Sequence, residues 1–405
     1  MDSLERVVLA AVDRECYDIE SSLLELEELC KSAGGEVVGK MVQKRPELDK
    51  ATAFGEGKVE ELGEFCENNE VDLVIFDHEL SPSQLRNIEE IVNCRVIDRT
   101  MLILDIFASR ALTAEGKLQV ELAQQKYLMP RLMGLGKSLS RLGGGIGTRG
   151  PGETKLETDR RHIRARIEHL KEELSELEKR RNLLRERRKK DGRLTIAIVG
   201  YTNVGKSTLL NLLTGAGILA EDKLFATLDL TSRGYTLPDG REVTFIDTVG
   251  LIRRLPHHLV EAFKCTLEEA ASADLILNVC DASSEELDEQ IEVTERVLSE
   301  IGAGEITRLT VFNKCDHPNA VCSGKCDVRI SAKENEGIDE LISAISKALT
   351  PTHTRLEITV PYSDGALLSL IRETGKIFSE DYTDLGYKID ASVDNKILHK
   401  VEKYK

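Results

Sequence analysis

The stretch LTIAIVGYTNVGKSTLLNLL, residues 194–213, decides what kind of fold surrounds it. An apolar run typical of a buried β-strand passes into a glycine loop, and a helix-forming segment follows at once. The loop matches G-x-x-x-x-G-K-[ST] from Gly200 to Ser207, a pattern whose backbone N–H groups bind phosphate at the positive end of a helix. The stretch therefore predicts a P-loop α/β domain with a doubly wound sheet that binds a nucleotide.

The residues of this loop have distinct predicted tasks. Backbone N–H groups from Asn203 to Thr208 are expected to surround the β-phosphate. The Lys206 ammonium adds a mobile charge toward the β- and γ-phosphates, and the Ser207 hydroxyl is a predicted Mg²⁺ ligand. The alternative is an accidental match in a structural loop, which the later motifs argue against.

A second predicted strand, EVTFIDTVGLI, ends in Asp247 and is followed by Gly250. The carboxylate is placed to hold Mg²⁺ through water, and the Gly250 N–H is placed to contact the γ-phosphate. Between the two motifs lies LFATLDLTSRGY, where Thr227 is a candidate Mg²⁺ ligand and γ-phosphate sensor, or else an ordinary loop threonine. The predicted catalytic residues are Lys206, Thr227 and Gly250, and the predicted metal ligands are Ser207, Thr227 and Asp247.

A third motif predicts which base is bound. The segment RLTVFNKCD ends a predicted strand with the pattern N-K-x-D. The Asp316 carboxylate can accept hydrogen bonds from the N1–H and the exocyclic amine of guanine, which adenine does not present in that pattern, so GTP is preferred to ATP. Lys314 is expected along the base plane, and Asn313 is expected to brace the loop. In RISAKENEG, the Ala332 N–H is expected to donate to guanine O6.

The whole chain divides by pattern into four predicted regions. Residues 1–99 alternate apolar runs with amphipathic helical patterns, which predicts an N-terminal parallel α/β domain. Residues 100–192 are a predicted helical arm with a break near Gly116, and residues 193–349 are the predicted GTPase domain. Residues 350–405 suggest a small α+β C-terminal module in the order β-α-β-β, with no identifiable chemistry.

Apolar side chains repeat along the second half of the arm at the a and d spacing of a short coiled coil. The repeat positions are Leu156, Ile163, Ile167, Leu170, Leu174 and Leu177, after which Arg181 interrupts the pattern and Leu184 resumes it. This helix and the preceding one are therefore expected to form an antiparallel hairpin with GGGIGTRGPG, residues 143–152, at the bend.

The bend contains GIGTRG, residues 145–150, which is literally G-x-G-x-x-G. A dinucleotide-binding fingerprint needs this pattern directly after a buried strand and at the start of a helix, and here a helical or polar segment precedes it. The glycines therefore predict a tight bend between helices. The arginines expected to meet RNA phosphates there are Arg141, Arg149, Arg160 and Arg161.

Composition narrows the class of protein. The chain has 405 residues, no tryptophan and a net charge of −16. No apolar run approaches the roughly 18 residues that cross a bilayer, and the start has no export signal, so a cytoplasmic protein without membrane contact is expected, as a monomer. Residues 137–193 carry 18 basic and 10 acidic side chains, against 37 and 61 in the remainder. This segment is either a local contact surface for nucleic acid or a solvated helical face.

Nine cysteines in a chain without an export signal predict free thiols in a reducing compartment. One cluster, formed by Cys315, Cys322, Cys326 and His317, could be a metal site. Its spacing lacks the paired C-x2-C knuckles of common zinc sites, so free cysteines in a surface loop are favoured.

Together the motifs make the chain resemble the HflX-type GTPases. The resemblance covers about residues 1–350 and is carried by DRTMLILDIFASRALTAEGKLQVELAQQKYLMPRL, GGGIGTRGPGETKLETDRR, GYTNVGKSTLLN, LFATLDLTSR and DTVGLI. It implies a cytoplasmic, Mg²⁺-dependent GTPase that binds the large ribosomal subunit and its RNA, is stimulated by the ribosome, and in some members separates the subunits.

The resemblance also places FATLD, residues 225–229, in the nucleotide site, with Ser207 and Thr227 as Mg²⁺ ligands. One departure is Leu230, where the family often has proline; this softens the segment without removing Thr227. The implied contacts with GTP or GDP are Gly200, Tyr201, Thr202, Asn203, Val204, Gly205, Lys206, Ser207, Thr208, Phe225, Ala226, Thr227, Leu228, Asp229, Asp247, Thr248, Val249, Gly250, Asn313, Lys314, Cys315, Asp316, Ser331, Ala332 and Lys333.

Many GTPases carry a glutamine after D-x-x-G to orient the attacking water, but this chain has Leu251. Slow hydrolysis by the protein alone is therefore expected, with a partner or a monovalent cation completing the site. Asn203 occupies the position at which potassium-dependent relatives carry asparagine, so K⁺ is the candidate cation. The alternative function is a GTP-gated RNA- or ribosome-binding module in which hydrolysis is incidental.

Overall fold

The computed structural model describes residues 4–139, 155–190, 193–215, 224–225, 231–253, 268–320, 326–349, 353–394 and 397–404. The chain forms two compact units, Met1–Ala344 and Ile345–Lys405. The predicted boundaries after residues 99, 192 and 349 stay predictions. The glycine bend, with Arg141 and Arg149, lies outside the described residues.

The first unit begins with a four-stranded parallel sheet in the order β2-β1-β3-β4. Its strands are β1 (Glu5–Asp13), β2 (Gly35–Lys44), β3 (Leu73–Phe76) and β4 (Arg95–Asp98), and its helices are α1 (Ile19–Ala33), α2 (Glu56–Asn68) and α3 (Pro82–Val92). Helix α3 begins at a capping box between Ser81 and Gln84, with proline at the first turn. The rings of Phe54 and Phe76 lie 5.2 Å apart in the core. The expected parallel α/β fold is confirmed.

Three helices follow the sheet: α4 (Arg99–Arg110), α5 (Ala114–Leu139) and α6 (Lys155–Lys190). The predicted break near Gly116 is wrong in position, because the chain breaks at residues 111–113. The physical reason is Thr113, whose hydroxyl accepts the Gly116 N–H at 3.0 Å and so caps the start of α5. Gly116 thus lies inside the first turn of the helix.

Helices α5 and α6 pack against each other in opposite directions, as their ion pairs indicate. Arg166 contacts Glu121 at 2.6 Å, and Arg181 contacts Glu115 at 2.7 Å. Ile167 and Leu170 are buried in this contact, as the heptad pattern predicts. Leu184, where the pattern resumes in sequence, is 55% exposed, because the start of α5 lies opposite Arg181 and α5 does not extend as far as Leu184.

The nucleotide motifs lie on a six-stranded sheet in the order β10-β9-β8-β5-β7-β6, in which only β6 is antiparallel to its neighbour. The strands are β5 (Leu194–Gly200), β6 (Thr231–Thr236), β7 (Glu242–Asp247), β8 (Leu275–Asp281), β9 (Arg308–Asn313) and β10 (Val328–Arg329). The described helices are α7 (Lys206–Thr214), α8 (Leu287–Glu300) and α9 (Ile338–Ala348). Strand β5 is central, so the loops after β5, β7, β8 and β9 meet at one edge.

The second unit is a three-stranded antiparallel sheet in the order β11-β13-β12. Its elements are β11 (His353–Val360), α10 (Gly365–Thr374), β12 (Lys376–Thr383), β13 (Gly386–Asp394) and α11 (Leu398–Val401). Val360, Ile371 and Ile389 are fully buried between sheet and helix. The predicted β-α-β-β order is confirmed.

Across the part of the chain that the structure describes, no helix combines the length and the apolarity that a membrane crossing requires.

The Asp98 carboxylate joins the N-terminal sheet to the arm. It is 0% exposed at the end of β4 and caps α4 by accepting the Met101 N–H at 3.0 Å. From α5 it accepts the Tyr127 hydroxyl at 2.5 Å and the Arg131 guanidinium at 3.0 Å. The guanidinium lies 3.3 Å from the centre of the Tyr127 ring. Burial is the main reason why the pKa of the Tyr127 hydroxyl is raised, and the negative charge of Asp98 is the second.

We expect Asp98→Ala to lower the free energy of unfolding by about 3 kcal/mol, because Arg131 loses the carboxylate that compensates its charge. The control Tyr127→Phe removes one neutral donor and should cost only about 1 kcal/mol. Urea denaturation of the full chain, followed by circular dichroism, measures both. Equal effects of the two substitutions would contradict the dominant role of the carboxylate.

Candidate nucleotide-binding site

The phosphate loop approaches two other strands more closely than any residue but glycine permits. Gly200 has a φ of +147°, and a Cβ there would lie 2.1 Å from the Val279 carbonyl oxygen of β8. Gly205 has a φ of +92°, and a Cβ there would lie 2.4 Å from Asn313 Nδ2. The two glycines of the motif therefore let the loop lie directly against β8 and the end of β9.

The Lys206 ammonium is buried beneath this loop and held by its backbone. Its Nζ donates to the Gly200 oxygen at 3.1 Å and to the Tyr201 oxygen at 2.6 Å. A lysine ammonium has three N–H donors, so one remains to serve a phosphate oxygen. Burial lowers the pKa of Lys206 to about 8, and the nearby Asp247 carboxylate partly offsets that fall. A bound phosphate would favour the charged form.

Ser207 and Asp247 meet beside the ammonium. Asp247 ends β7 and is 1% exposed, and the Ser207 hydroxyl donates to its Oδ2 at 2.7 Å. A hydroxyl and a carboxylate in contact are oxygen donors of the kind that Mg²⁺ prefers. The two residues therefore fit a magnesium ion bound together with nucleotide phosphates.

The DTVGLI segment, residues 247–252, lies against the phosphate loop. Leu251 pairs with it as a strand would: its N–H donates to the Gly200 oxygen at 3.1 Å, and its carbonyl accepts the Thr202 N–H at 2.8 Å. Gly250 is packed tightly, because a Cβ there would lie 2.8 Å from Thr202 Cα and 3.1 Å from Lys206 Nζ. The Leu251 side chain is 5% exposed and has no group that could orient water.

Asn313 connects the base-reading loops to the phosphate loop. Its Nδ2 donates to the Val204 oxygen at 2.8 Å, and its Oδ1 accepts the Ala332 N–H at 2.9 Å. The bracing role predicted for Asn313 therefore has a geometric basis. The Ala332 N–H, expected to serve guanine O6, donates to Asn313 in this structure.

The two charged residues of N-K-x-D are held at the rim of the same loop. Lys314 has a φ of +60°, and its ammonium contacts the Asp281 carboxylate at the end of β8 at 2.7 Å. Asp316 accepts the Ser331 hydroxyl at 2.6 Å, and this hydrogen bond holds the pKa of Asp316 below its usual value. The Asp316 carboxylate is thus charged and ready to accept N–H groups.

The remaining predicted contacts are distributed around these loops. Thr248 donates its hydroxyl to the Ile198 oxygen at 2.8 Å, and Lys333 is exposed. The predicted residues Ala226, Thr227, Leu228 and Asp229 lie outside the described residues, as does Cys322. Phe225 is described, with a φ of +57° and 2% exposure.

The predicted cysteine cluster is apolar where it is described. Cys315 and Cys326 pack against a core cluster that contains Phe312 and Cys280. Within the described ranges, no group of three or more histidine, cysteine or acidic side chains is placed to hold a metal. The free-thiol interpretation agrees with this packing.

The sequence did not reveal that side chains of the N-terminal region also reach these loops. Glu25 contacts Tyr201 of the phosphate loop, and Arg99 contacts the carbonyl of Arg253, the residue after DTVGLI. The ring of Phe107 lies 4.7 Å from that of Phe225. Only Arg99 and Phe107 lie within a stretch that the family resemblance quoted, and nothing there indicated a contact with the nucleotide loops.

At pH 8, we expect GDP binding to take up about half a proton, because Lys206 is half charged before binding and the phosphates favour the ammonium. The affinity for GDP should therefore be highest well below pH 8, where Lys206 is charged, and should fall as the pH rises through 8. Calorimetry in two buffers of different ionisation enthalpy measures the uptake. Lys206→Arg keeps its charge throughout and should show none; proton release by the unsubstituted protein would contradict the assignment.

Comparison with known proteins places this geometry in a family. Family models match residues 20–108 ("GTP-binding GTPase N-terminal"), 110–188 ("GTP-binding GTPase Middle Region") and 195–314 ("50S ribosome-binding GTPase"). Three similar proteins illustrate the range of relatives. The "GTPase HflX" of Caldanaerobacter subterraneus subsp. tengcongensis is 52% identical over 99% of this chain and 94% of its own length. The "GTPase HflX" of Escherichia coli (strain K12) is 43% identical over 91% of this chain and 88% of its own length. A GTP-binding protein of Sulfolobus solfataricus, solved in complex with GDP, is 23% identical over 85% of this chain and 99% of that one, with a TM-score of 0.46. The chain is therefore a GTP hydrolase, and it belongs to the HflX family of GTPases.

Proposed function

We propose that this GTPase requires Mg²⁺, binds the large ribosomal subunit, and uses its nucleotide state to control that binding. The observation that carries the proposal is that the phosphate loop, the DTVGLI segment, the N-K-x-D loop and the arginine-rich helix α6 belong to one compact unit. The family model that matches residues 195–314, described as a 50S ribosome-binding GTPase, supports the choice of partner. The site of action would then be the cytoplasm, with the protein working as a monomer.

The proposed roles follow the geometry of the loops. Lys206 and the Gly250 N–H would hold the γ-phosphate, and Asp316 would select guanine. Ser207 and Asp247, with Thr227 by family resemblance, would hold Mg²⁺, which neutralises charge that develops on the β- and γ-phosphate oxygens. Leu251 supplies nothing to orient water, so a ribosomal group or a cation would complete the site.

The basic segment, residues 137–193, is the proposed RNA contact. On α6, Arg161 and Arg164 are exposed and Arg160 is half-buried. Arginines on one exposed segment bind RNA phosphates, and such contacts weaken as the salt concentration rises. The exposed arginines of the segment are therefore available to contact the phosphates of ribosomal RNA.

We expect large ribosomal subunits to raise the GTP turnover number at least tenfold. We also expect the double substitution of Arg160 and Arg161 by alanine to weaken subunit binding about tenfold without changing GTP affinity. Alanine at Arg296 and Arg329, two exposed arginines of the GTPase domain, is the matched control and should bind normally. Turnover with subunits and co-sedimentation measure the two effects. Subunit binding without stimulation would support a GTP-gated binding module instead, and a sedimentation profile of intact ribosomes would show whether the subunits separate.

We also expect GTP turnover to be several-fold faster in potassium than in sodium buffer of equal ionic strength, because a bound K⁺ can supply the charge that the site lacks. Asn203→Gly should abolish the difference, since glycine tolerates the +60° φ of this position but offers no side-chain oxygen. Equal turnover of the unsubstituted protein in both salts would rule out the cation.

A further inference from the structure

Arg253, the residue after the DTVGLI segment, is held by one side chain of the phosphate loop and by side chains of the N-terminal region. The Arg253 N–H donates to the Tyr201 hydroxyl at 2.5 Å, and the Arg253 carbonyl accepts from Arg99 at 3.4 Å. The Tyr201 hydroxyl in turn contacts the two Glu25 carboxylate oxygens at 3.1 and 3.2 Å. Tyr201 belongs to the phosphate loop, so one hydroxyl joins that loop, the DTVGLI segment and the N-terminal α1.

The charges in this contact are removed from water. Arg99 is 3% exposed at the start of α4, and its guanidinium contacts Asp77 at 3.0 Å and Glu25 at 3.1 Å. Buried ion pairs contribute little net stability compared with apolar packing, because desolvation offsets their attraction. They do impose one geometry, since a displaced partner leaves a buried charge uncompensated. The arrangement therefore favours a single position of Arg253.

The Arg253 side chain also makes contacts that hold this residue in place. Its guanidinium contacts Glu286 at 2.6 Å and Glu289 at 2.9 Å near the start of α8, and the Ser21 hydroxyl of α1 at 3.1 Å. Both the backbone and the side chain of this residue are thus bound, partly by the GTPase domain and partly by the N-terminal helices.

This position packs Gly250 tightly against the phosphate loop. Lys206 Nζ and the Gly250 N–H are the groups expected to hold the γ-phosphate between them. A single added carbon at Gly250 would already lie 3.1 Å from Nζ and 2.8 Å from Thr202 Cα. The Gly250 backbone therefore packs directly against Thr202 and Lys206, and GDP lacks the phosphate that Lys206 and the Gly250 N–H are expected to hold.

We propose that Glu25, Arg99 and Tyr201 are positioning residues that hold Arg253, and with it Gly250, against the phosphate loop, and that they thereby set the preference of the protein for GDP over GTP. The proposal rests on the proposed phosphate roles of Lys206 and Gly250. A terminal phosphate placed between Lys206 and Gly250 would displace the segment outward, so GTP binding would work against these contacts and GDP binding would not. A ligand shifts such an equilibrium only by its differential affinity for the two positions, so weakening the contacts favours GTP.

The test is Tyr201→Phe, which removes the hydroxyl and keeps the ring. We expect the ratio of the dissociation constants for a non-hydrolysable GTP analogue and for GDP to fall about tenfold. Tyr127→Phe is the matched control, because it removes another buried hydroxyl from a carboxylate of the N-terminal region, away from the nucleotide loops. The control should leave the ratio unchanged. A ratio unchanged in Tyr201→Phe, or changed equally in both variants, would overturn the proposal.

A double-mutant cycle provides the second measurement. Glu25→Ala should shift the same ratio, and the Tyr201→Phe, Glu25→Ala double variant should shift it no further than the stronger single variant, because both remove one connected contact. Fully additive shifts would overturn the connection between them. Subunit-stimulated turnover is measured separately: its absence would contradict the ribosomal function alone, and an unmoved nucleotide ratio would contradict the positioning role alone.

Discussion

The contact between the phosphate loop and Asn313 is the constraint on which the nucleotide site depends. Asn313 donates to the Val204 oxygen and accepts the Ala332 N–H, so it fixes the phosphate loop and both base-reading loops in one arrangement. The contact exists only because Gly205 has no side chain where Asn313 Nδ2 lies. The distance between the phosphate end and the base end of the site therefore follows from one amide and one glycine, 108 residues apart in sequence.

The phosphate loop has a second role that its motif does not describe. The backbone of Tyr201 helps to hold the Lys206 ammonium, while its hydroxyl binds Glu25 and the Arg253 N–H on the opposite side. Phosphate binding and the N-terminal contact thus share one residue. In the proposed mechanism, a displacement that includes Arg253 would break the hydrogen bond between its N–H and the Tyr201 hydroxyl, and the N-terminal region would respond to the nucleotide in this way.

Much of the fold could be predicted because its patterns are local. Alternating apolar strands and amphipathic helices predicted two parallel α/β sheets, and the heptad positions Ile167 and Leu170 are buried as expected. The errors arose where a partner element ends. Leu184 continues the heptad in sequence but lies beyond the start of α5, and the break before α5 falls at a threonine cap rather than at Gly116. A periodic pattern records which face is apolar, not how far its partner extends.

The sequence by itself determined the chemistry of the loops: the glycines, Lys206, Ser207, Asp247 and the N-K-x-D segment are recognisable because phosphate and guanine require those groups at those spacings. Only the tertiary structure decided how the loops are joined to the rest of the molecule. Glu25 and Arg253 belong to no motif, and the family stretch that contains Arg99 does not indicate its contacts, because the partners are up to 228 residues away and any side chain of suitable charge and reach could serve. Binding chemistry is local in sequence, whereas coupling between domains is set by which surfaces meet.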